Sequence, residues 1–299
     1  MNIYTSRKHS EAVDALCDEL GVSSKLLNIK MFGDQEIHVD VQDALTEATV
    51  FFYHEYAGDP NRWVMEALLA ADAFRRAGAN QIHLIAPYLV YSRQDVPDDD
   101  QATSYSSPLI CRHLSDVYDG LLVVDLHAPQ TQGFFQIPVH HVSTSSLVAQ
   151  HIKQHHNEQS ILVAPDLGGS KRVESIQGLV GGSMVVIEKK RSLGQVESMQ
   201  LIGDVAGKAC IIVDDVLVSG ESLSRASELL VNHGATSVTA YVTHLLMQTS
   251  VTEWLQTTQI DRMYITDTVA HPHFEEQGVS IVPKIAAWVK QKQGGKNDS

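Results

Sequence analysis

The sequence predicts an α/β protein with mainly parallel sheets, arranged as two domains, and three observations carry that prediction. Apolar, β-branched runs alternate with segments of helical periodicity along most of the chain, and strand-then-helix order is what parallel sheets covered on both faces require. At 299 residues the chain exceeds the usual size of a single domain. The residues able to do chemistry stand just past apolar runs, at Arg93-Gln94, His127, Asp166 and Asp214-Asp215. In sheets of this type, ligands gather beyond the carboxyl ends of the strands.

Taken in order, "TVFFY" (Thr49–Tyr53) reads as a strand, Arg62–Ala77 as a helix and "QIHLIA" (Gln81–Ala86) as the next strand. A helix near Pro108–Val117 and the strand "LLVVDL" (Leu121–Leu126) follow. Further on, "ILVA" (Ile161–Ala164), "MVVIE" (Met184–Glu188), "CIIVDD" (Cys210–Asp215) and "VTAYVT" (Val238–Thr243) are expected strands. Helices are expected at Gly169–Gln177 and Glu221–His233. One α/β set ends and a comparable one begins at about Ser143–Gln150. The expected domains are therefore residues 1–145 and 146–285, with 286–299 a helix end and a frayed, Gly-rich tail. "VPDDD" (Val96–Asp100) reads as an acidic, mobile loop.

Composition narrows the function. A hydrophobic content of 43% with 19% charged residues suits an ordinary globular protein. No apolar run approaches the length of a membrane span and no signal peptide is evident, so neither a membrane nor export is expected. The three cysteines, Cys17, Cys111 and Cys210, are scattered and show no CxxC spacing. That pattern fits a reducing cytoplasm and argues against structural zinc. A formal charge of −14 argues against a nucleic-acid backbone as a partner. Small anions would need local cations, metal ions or helix N-termini. Of the fifteen histidines, the neighbours His140-His141 and His155-His156 read as surface or core residues, because adjacent side chains diverge too far to share one ion.

The motifs themselves are more specific. "IIVDDVLVSGES" (Ile211–Ser222) ends an apolar run in two carboxylates and then turns through Ser219-Gly220 into a helix. Such carboxylates suit Mg²⁺ or vicinal ribose hydroxyls, and the turn into a helix N-terminus suits an anion. "DLHAPQTQGFF" (Asp125–Phe135) sets His127 just past a strand. "APDLGGSKR" (Ala164–Arg172) puts Asp166 beside a Gly-Gly nest. "EKKRSLGQVES" (Glu188–Ser198) leaves its strand with three cations, which on a flexible lid would clamp a transferring phosphoryl group. "YSRQD" (Tyr91–Asp95) ends another strand with Arg93 and Gln94. "MFGDQE" (Met31–Glu36) offers Phe32 for stacking, with Asp34 and Glu36 as acceptors for an adenine amino group.

Together and in this order, these segments resemble the ribose-phosphate pyrophosphokinase family, from about Phe32 to Thr268. The resemblance implies two tandem type I phosphoribosyltransferase-like domains, an ATP side and a ribose-phosphate side, with the site between them. It implies transfer of the β,γ-diphosphoryl group of ATP to the anomeric 1-hydroxyl of ribose 5-phosphate, with release of AMP. His127 and Asp166 would hold Mg²⁺, while Asp214 and Asp215 grip ribose hydroxyls and Ser219, Gly220, Glu221 and Ser222 form the phosphate loop. Lys189 and Arg191 would stabilise charge developing at the β-phosphate. Arg93, Gln94 and His127 would bind ATP, and Phe32, Asp34 and Glu36 would reach the adenine across a subunit interface. A dimer-based homo-oligomer, up to a hexamer, follows from that last role.

The chain also departs from the family pattern. Where the aspartate-pair motif ends in a third Asp and "TGGT", it has Val218 and "SGES" (Ser219–Ser222). Val96, Pro97 and Asp98–Asp100 replace a basic stretch, and "SYSSP" (Ser104–Pro108) replaces P-I-[ST]-A-K. These last changes predict weak activation by phosphate and resistance to allosteric ADP inhibition. Glu221 leaves two acceptors open. If its carboxylate points outward from the first helical turn, ribose 5-phosphate is the substrate. If it crowds the loop, a 5-esterified ribose such as ADP-ribose is the acceptor. A third reading, a catalytically silent regulatory paralogue, keeps the fold without the reaction.

Overall fold

The computed structural model describes residues 1–8, 10–46, 48–97, 102–192, 195–271 and 278–294, with the side chains of 190–197 and 294 left aside. Asp98–Asp100, expected to form an acidic loop, lie outside the described residues. The chain forms two units. The first comprises residues 1–142, 268–270 and 281–299, and the second residues 143–267 and 271–280.

The first unit contains β1 (Asn2–Thr5), α1 (Glu11–Leu20), β2 (Ser24–Leu26), β3 (Asn28–Met31), β4 (Ile37–Asp40), β5 (Thr49–Tyr53) and α2 (Pro60–Arg76). It continues with β6 (Gln81–Ala86), α3 (Ser106–Val117), β7 (Gly120–Val124) and β8 (Val139–Val142). Six strands form a sheet in the order β2-β1-β5-β6-β7-β8, every pair parallel, while β3 and β4 make a separate antiparallel hairpin. Alternation along β5 fixes both faces of the sheet. Phe52 meets Phe74 of α2, with ring centroids 5.6 Å apart. Its neighbour Phe51 turns the other way and meets Trp288, at 5.8 Å. Asp59 caps α2 by accepting from the backbone N–H groups of Asn61 and Arg62, and Pro60 starts the helix where a missing N–H costs nothing.

The second unit begins with α4 (Ser145–His155), β9 (Ile161–Ala164), α5 (Ser170–Val180), β10 (Met184–Ser192) and β11 (Gln195–Ile202). It goes on through β12 (Ala209–Leu217), α6 (Glu221–Asn232), β13 (Ser237–Leu245), α7 (Val251–Leu255) and β14 (Arg262–Ile265). The sheet order is β11-β10-β9-β12-β13-β14, with only β10 and β11 antiparallel among the described pairs. Ile211 and Val213 of β12 face Val148, Ile152, Val173 and Ile176 of α4 and α5. Ile212 faces Leu223, Ala226 and Leu230 of α6. A central strand apolar on both faces therefore carries its two carboxylates toward its carboxyl end, two residues short of Leu217, with Asp215 buried beside Arg172 of α5. The last helix, α8 (Val282–Gly294), belongs with the first unit through Trp288, although its sequence follows directly on the second.

Several expected boundaries shift: the strand read as Cys210–Asp215 spans Ala209–Leu217, so both aspartates lie inside it, and the strand read as Leu121–Leu126 spans Gly120–Val124. The strand read as ending at Glu188 runs on to Ser192, so Lys189 lies within β10 rather than beyond it. The cause is β11, which pairs with β10 from Val186↔Ile202 to Ser192↔Gln195 with an irregularity between Lys190 and Arg191. Met199 and Leu201 alternate inward onto the core, a period-2 signal masked by the polar residues around them.

Candidate active site

On the second unit, β9, β10 and β12 end at one edge, and the predicted residues of three motifs meet there. Asp166 follows β9 in a tight turn, where its Oδ1 accepts from the backbone N–H of Gly169 at 2.9 Å. A Cβ at Gly168 would come within 3.3 Å of that oxygen, so small residues let the carboxylate fold back on the turn. Lys189, its side chain only 5% exposed, donates from Nζ to Asp166 Oδ2 at 3.2 Å and to Ser222 Oγ at 2.6 Å. One ammonium thus joins the Asp166 carboxylate to the loop that opens α6.

The aspartate pair is electrostatically loaded. Asp215 is buried and lies 3.7 Å from Arg172 of α5, whose side chain is itself largely buried. Asp214 Oδ1 accepts the backbone N–H of Asp215 at 2.9 Å. Burial first, then the negative charges of Asp215 and Asp166, push the Asp214 carboxyl up to about 7, against the opposing pull of Arg172. Hydroxyl donors from a ribose diol would relieve that destabilisation, which is what a receptor for vicinal hydroxyls needs.

This shift has a measurable sign. With the folded-state value above the unfolded one, the folded protein binds more protons between about pH 4 and 7, so this stabilisation is lost as pH rises through about 7. The Asp214→Asn variant is therefore expected to be more stable than the ligand-free wild type at pH 7.5, with the difference shrinking toward pH 4. Thermal denaturation of both proteins across that range checks it. A difference independent of pH would contradict the assignment.

The loop expected to hold phosphate, Ser219–Ser222, is locked on one side. Gly220 is the left-handed N-cap of α6, with φ of 79°, and a Cβ there would overlap the indole of Trp254 from α7. Ser219 and Glu221 are exposed, as is Val218. Glu221 Oε1 pairs with Arg225 Nη2 at 2.7 Å along the helix.

The first unit holds the residues expected on the nucleotide side. His127, Arg93, Gln94, Phe32, Asp34 and Glu36 are all exposed. Among the described residues, the non-glycine positions with left-handed backbone are Gln35, Tyr91 and Asp125, one in each of the three segments expected on the nucleotide side. Such conformations cost energy and cluster where a backbone must present a side chain to a ligand. Phe32 closes the β3–β4 turn by donating its N–H to the Glu36 carbonyl at 2.8 Å, and Asp34 Oδ1 accepts from the Glu36 N–H at 3.2 Å. Ahead of His127, the Leu126 N–H donates to His141 Nε2 at 3.1 Å, which fixes the path of the chain into that segment.

Three of these contributors carried no signal that their positions alone could reveal, and a fourth carried a weak one. Arg172 sits in a quoted motif but resembles a solvated helix cation until β12 is placed beside it. Trp254 is 34 residues beyond the loop it supports. His141 belongs to a pair that reads as surface or core. Arg225 is legible only as an i,i+4 partner of Glu221. The side chain of Arg191 is outside the described set.

The chain is similar over most of its length to known proteins. Residues 1–117 match the family model described as the N-terminal domain of ribose phosphate pyrophosphokinase, and residues 180–283 match the phosphoribosyl synthetase-associated domain. The chain is 33% identical over 272 residues to the ribose-phosphate pyrophosphokinase of Agrobacterium fabrum, covering 90% of this chain and 87% of that protein. It is 35% identical over 273 residues to that of Hyphomonas neptunium, with the same coverage. The crystal structure of phosphoribosylpyrophosphate synthetase from Mycobacterium smegmatis matches with a TM-score of 0.89 at 28% identity, over 98% of this chain and 99% of that one. The fold is thus the α/β architecture with type I phosphoribosyltransferase-like domains. The chain belongs to the ribose-phosphate pyrophosphokinase family.

Proposed function

We propose that this enzyme transfers the β,γ-diphosphoryl group of ATP to the anomeric 1-hydroxyl of ribose 5-phosphate, giving phosphoribosyl pyrophosphate and AMP. The observation that carries the reading is Lys189, whose ammonium joins Asp166 to Ser222. One cation is then shared by a carboxylate suited to a metal–phosphate complex and a loop suited to the sugar phosphate. In the reaction the anomeric oxygen attacks the β-phosphorus, the bond from that phosphorus to the α–β bridging oxygen breaks, and the hydroxyl proton is released. Asp214 and Asp215 orient the ribose through its hydroxyls, and the Ser219–Ser222 loop holds the 5-phosphate. Lys189 and Arg191 offset negative charge as it grows on the transferring group and on the departing AMP oxygen.

Arg93, Gln94 and His127 bind ATP in this account, with Phe32, Asp34 and Glu36 serving the adenine of a neighbouring subunit in a dimer-based homo-oligomer. His127 and Asp166 are the residues assigned to Mg²⁺. Among the described residues there is no cluster of three or more His, Cys, Asp or Glu side chains able to cage a metal. Mg²⁺ is commonly held by one or two protein groups and mainly by substrate phosphates. When bound, it would neutralise phosphate charge and align the β-phosphorus for attack. The exposed Asp166 oxygens keep lone pairs beyond those used by Lys189 and Gly169.

No helix among the described residues is long and apolar enough to cross a membrane. Cys17, Cys111 and Cys210 are buried and unbridged, which supports a cytoplasmic setting.

The test is product identity. Incubation with ATP, Mg²⁺ and ribose 5-phosphate is expected to release AMP and phosphoribosyl pyrophosphate in equal amounts. ADP as the product would refute diphosphoryl transfer, and no turnover on any pentose phosphate would favour a silent regulatory subunit.

A further inference from the structure

Glu221 places a carboxylate in the first turn of α6, at the loop assigned to a phosphomonoester that carries nearly two negative charges. The structure holds that carboxylate along the helix: Glu221, 68% exposed, pairs with Arg225 at 2.7 Å, one turn on. Helical side chains lean toward the N-terminus, so the guanidinium of Arg225 is carried back to the first turn. The loop itself is held from elsewhere, by Trp254 against Gly220 and by Lys189 on Ser222.

We infer that Arg225 is a positioning residue for the acceptor: its guanidinium, brought back to the first turn, offsets the charge of the Glu221 carboxylate beside the phosphate loop, so that a dianionic phosphomonoester binds. The inference rests on ribose 5-phosphate being the acceptor. The exposed pair adds little to stability, as solvent-exposed i,i+4 pairs do. Its consequence is the field at the bound phosphate. An uncompensated carboxylate several Å from a dianion in well-solvated surroundings weakens binding by ~10-fold at low salt, and the effect fades as salt shortens the screening length.

The experiment compares the full-length wild type, Arg225→Ala, Arg225→Lys, Glu221→Gln and the Glu221→Gln/Arg225→Ala double variant by AMP release at low and high salt. Arg225→Ala is expected to raise KM for ribose 5-phosphate about tenfold at low salt, with kcat and KM for ATP within about twofold of wild type. Arg225→Lys should restore most of the affinity. In the Glu221→Gln background, Arg225→Ala should change KM by less than about twofold. An unchanged KM in Arg225→Ala would overturn the inference. So would an equal rise in both backgrounds, since Arg225 would then contact the phosphate itself. Both results leave diphosphoryl transfer standing. Wild type that releases AMP with ADP-ribose and not with ribose 5-phosphate would instead overturn the acceptor assignment and this inference with it.

Discussion

Lys189→Ala is expected to lower kcat by about 10²-fold or more while KM for ATP stays within about threefold of wild type. Its ammonium sits between Asp166 and Ser222 with 5% of the side chain exposed, so water cannot replace the lost charge at the same place. A contact that strengthens as negative charge develops acts on the transition state more than on bound ATP. The fold should survive the change, because the Asp166 carboxylate is 37% exposed and becomes hydrated when its partner goes. Steady-state kinetics with a circular dichroism control separate these effects. A kcat near that of wild type would remove Lys189 from the chemistry.

The largest structural effect is expected from Gly220→Ala. The backbone there is left-handed, at φ of 79°, and the new methyl would overlap the Trp254 indole. Left-handed backbone costs an L-residue roughly 1–2 kcal/mol, and overpacking typically adds about 1–3. A loss of roughly 2–5 kcal/mol should lower the thermal midpoint by about 3–8 °C for a chain of this size. KM for ribose 5-phosphate should rise as well, since the same glycine sets the path of the phosphate loop. Adding Trp254→Ala relieves the overlap and not the backbone strain, so it should recover only part of the affinity. Stability and KM unchanged in Gly220→Ala would show that the loop does not need this conformation.

These two positions also show what the sequence made legible. The β12 carboxylates, the Asp166 turn and the loop at Ser219–Ser222 follow from local patterns: an apolar strand, then acids, then small residues at a helix start. Their convergence at one sheet edge follows from parallel topology. The partners that tune them arrive from far along the chain, as Arg172 does for Asp215 and Trp254 for Gly220, and local periodicity holds no information about such contacts. Lys189 shows the opposite difficulty. Its run of cations reads as a lid, yet its pairing with β11 places it in a strand, because the inward alternation of Met199 and Leu201 outweighs the polarity around them. The return of α8 to the first unit is equally non-local, resting on Trp288 against Phe51 and His83.

The central claim, transfer of a diphosphoryl group as one piece, is tested most directly with ATP labelled at the β-phosphorus. After reaction with ribose 5-phosphate, the account predicts the label entirely on carbon 1 of the sugar product, with unlabelled AMP released in equal amount. Label retained in the released nucleotide, as ADP, would mean that only the γ-phosphoryl group moves, and would contradict it.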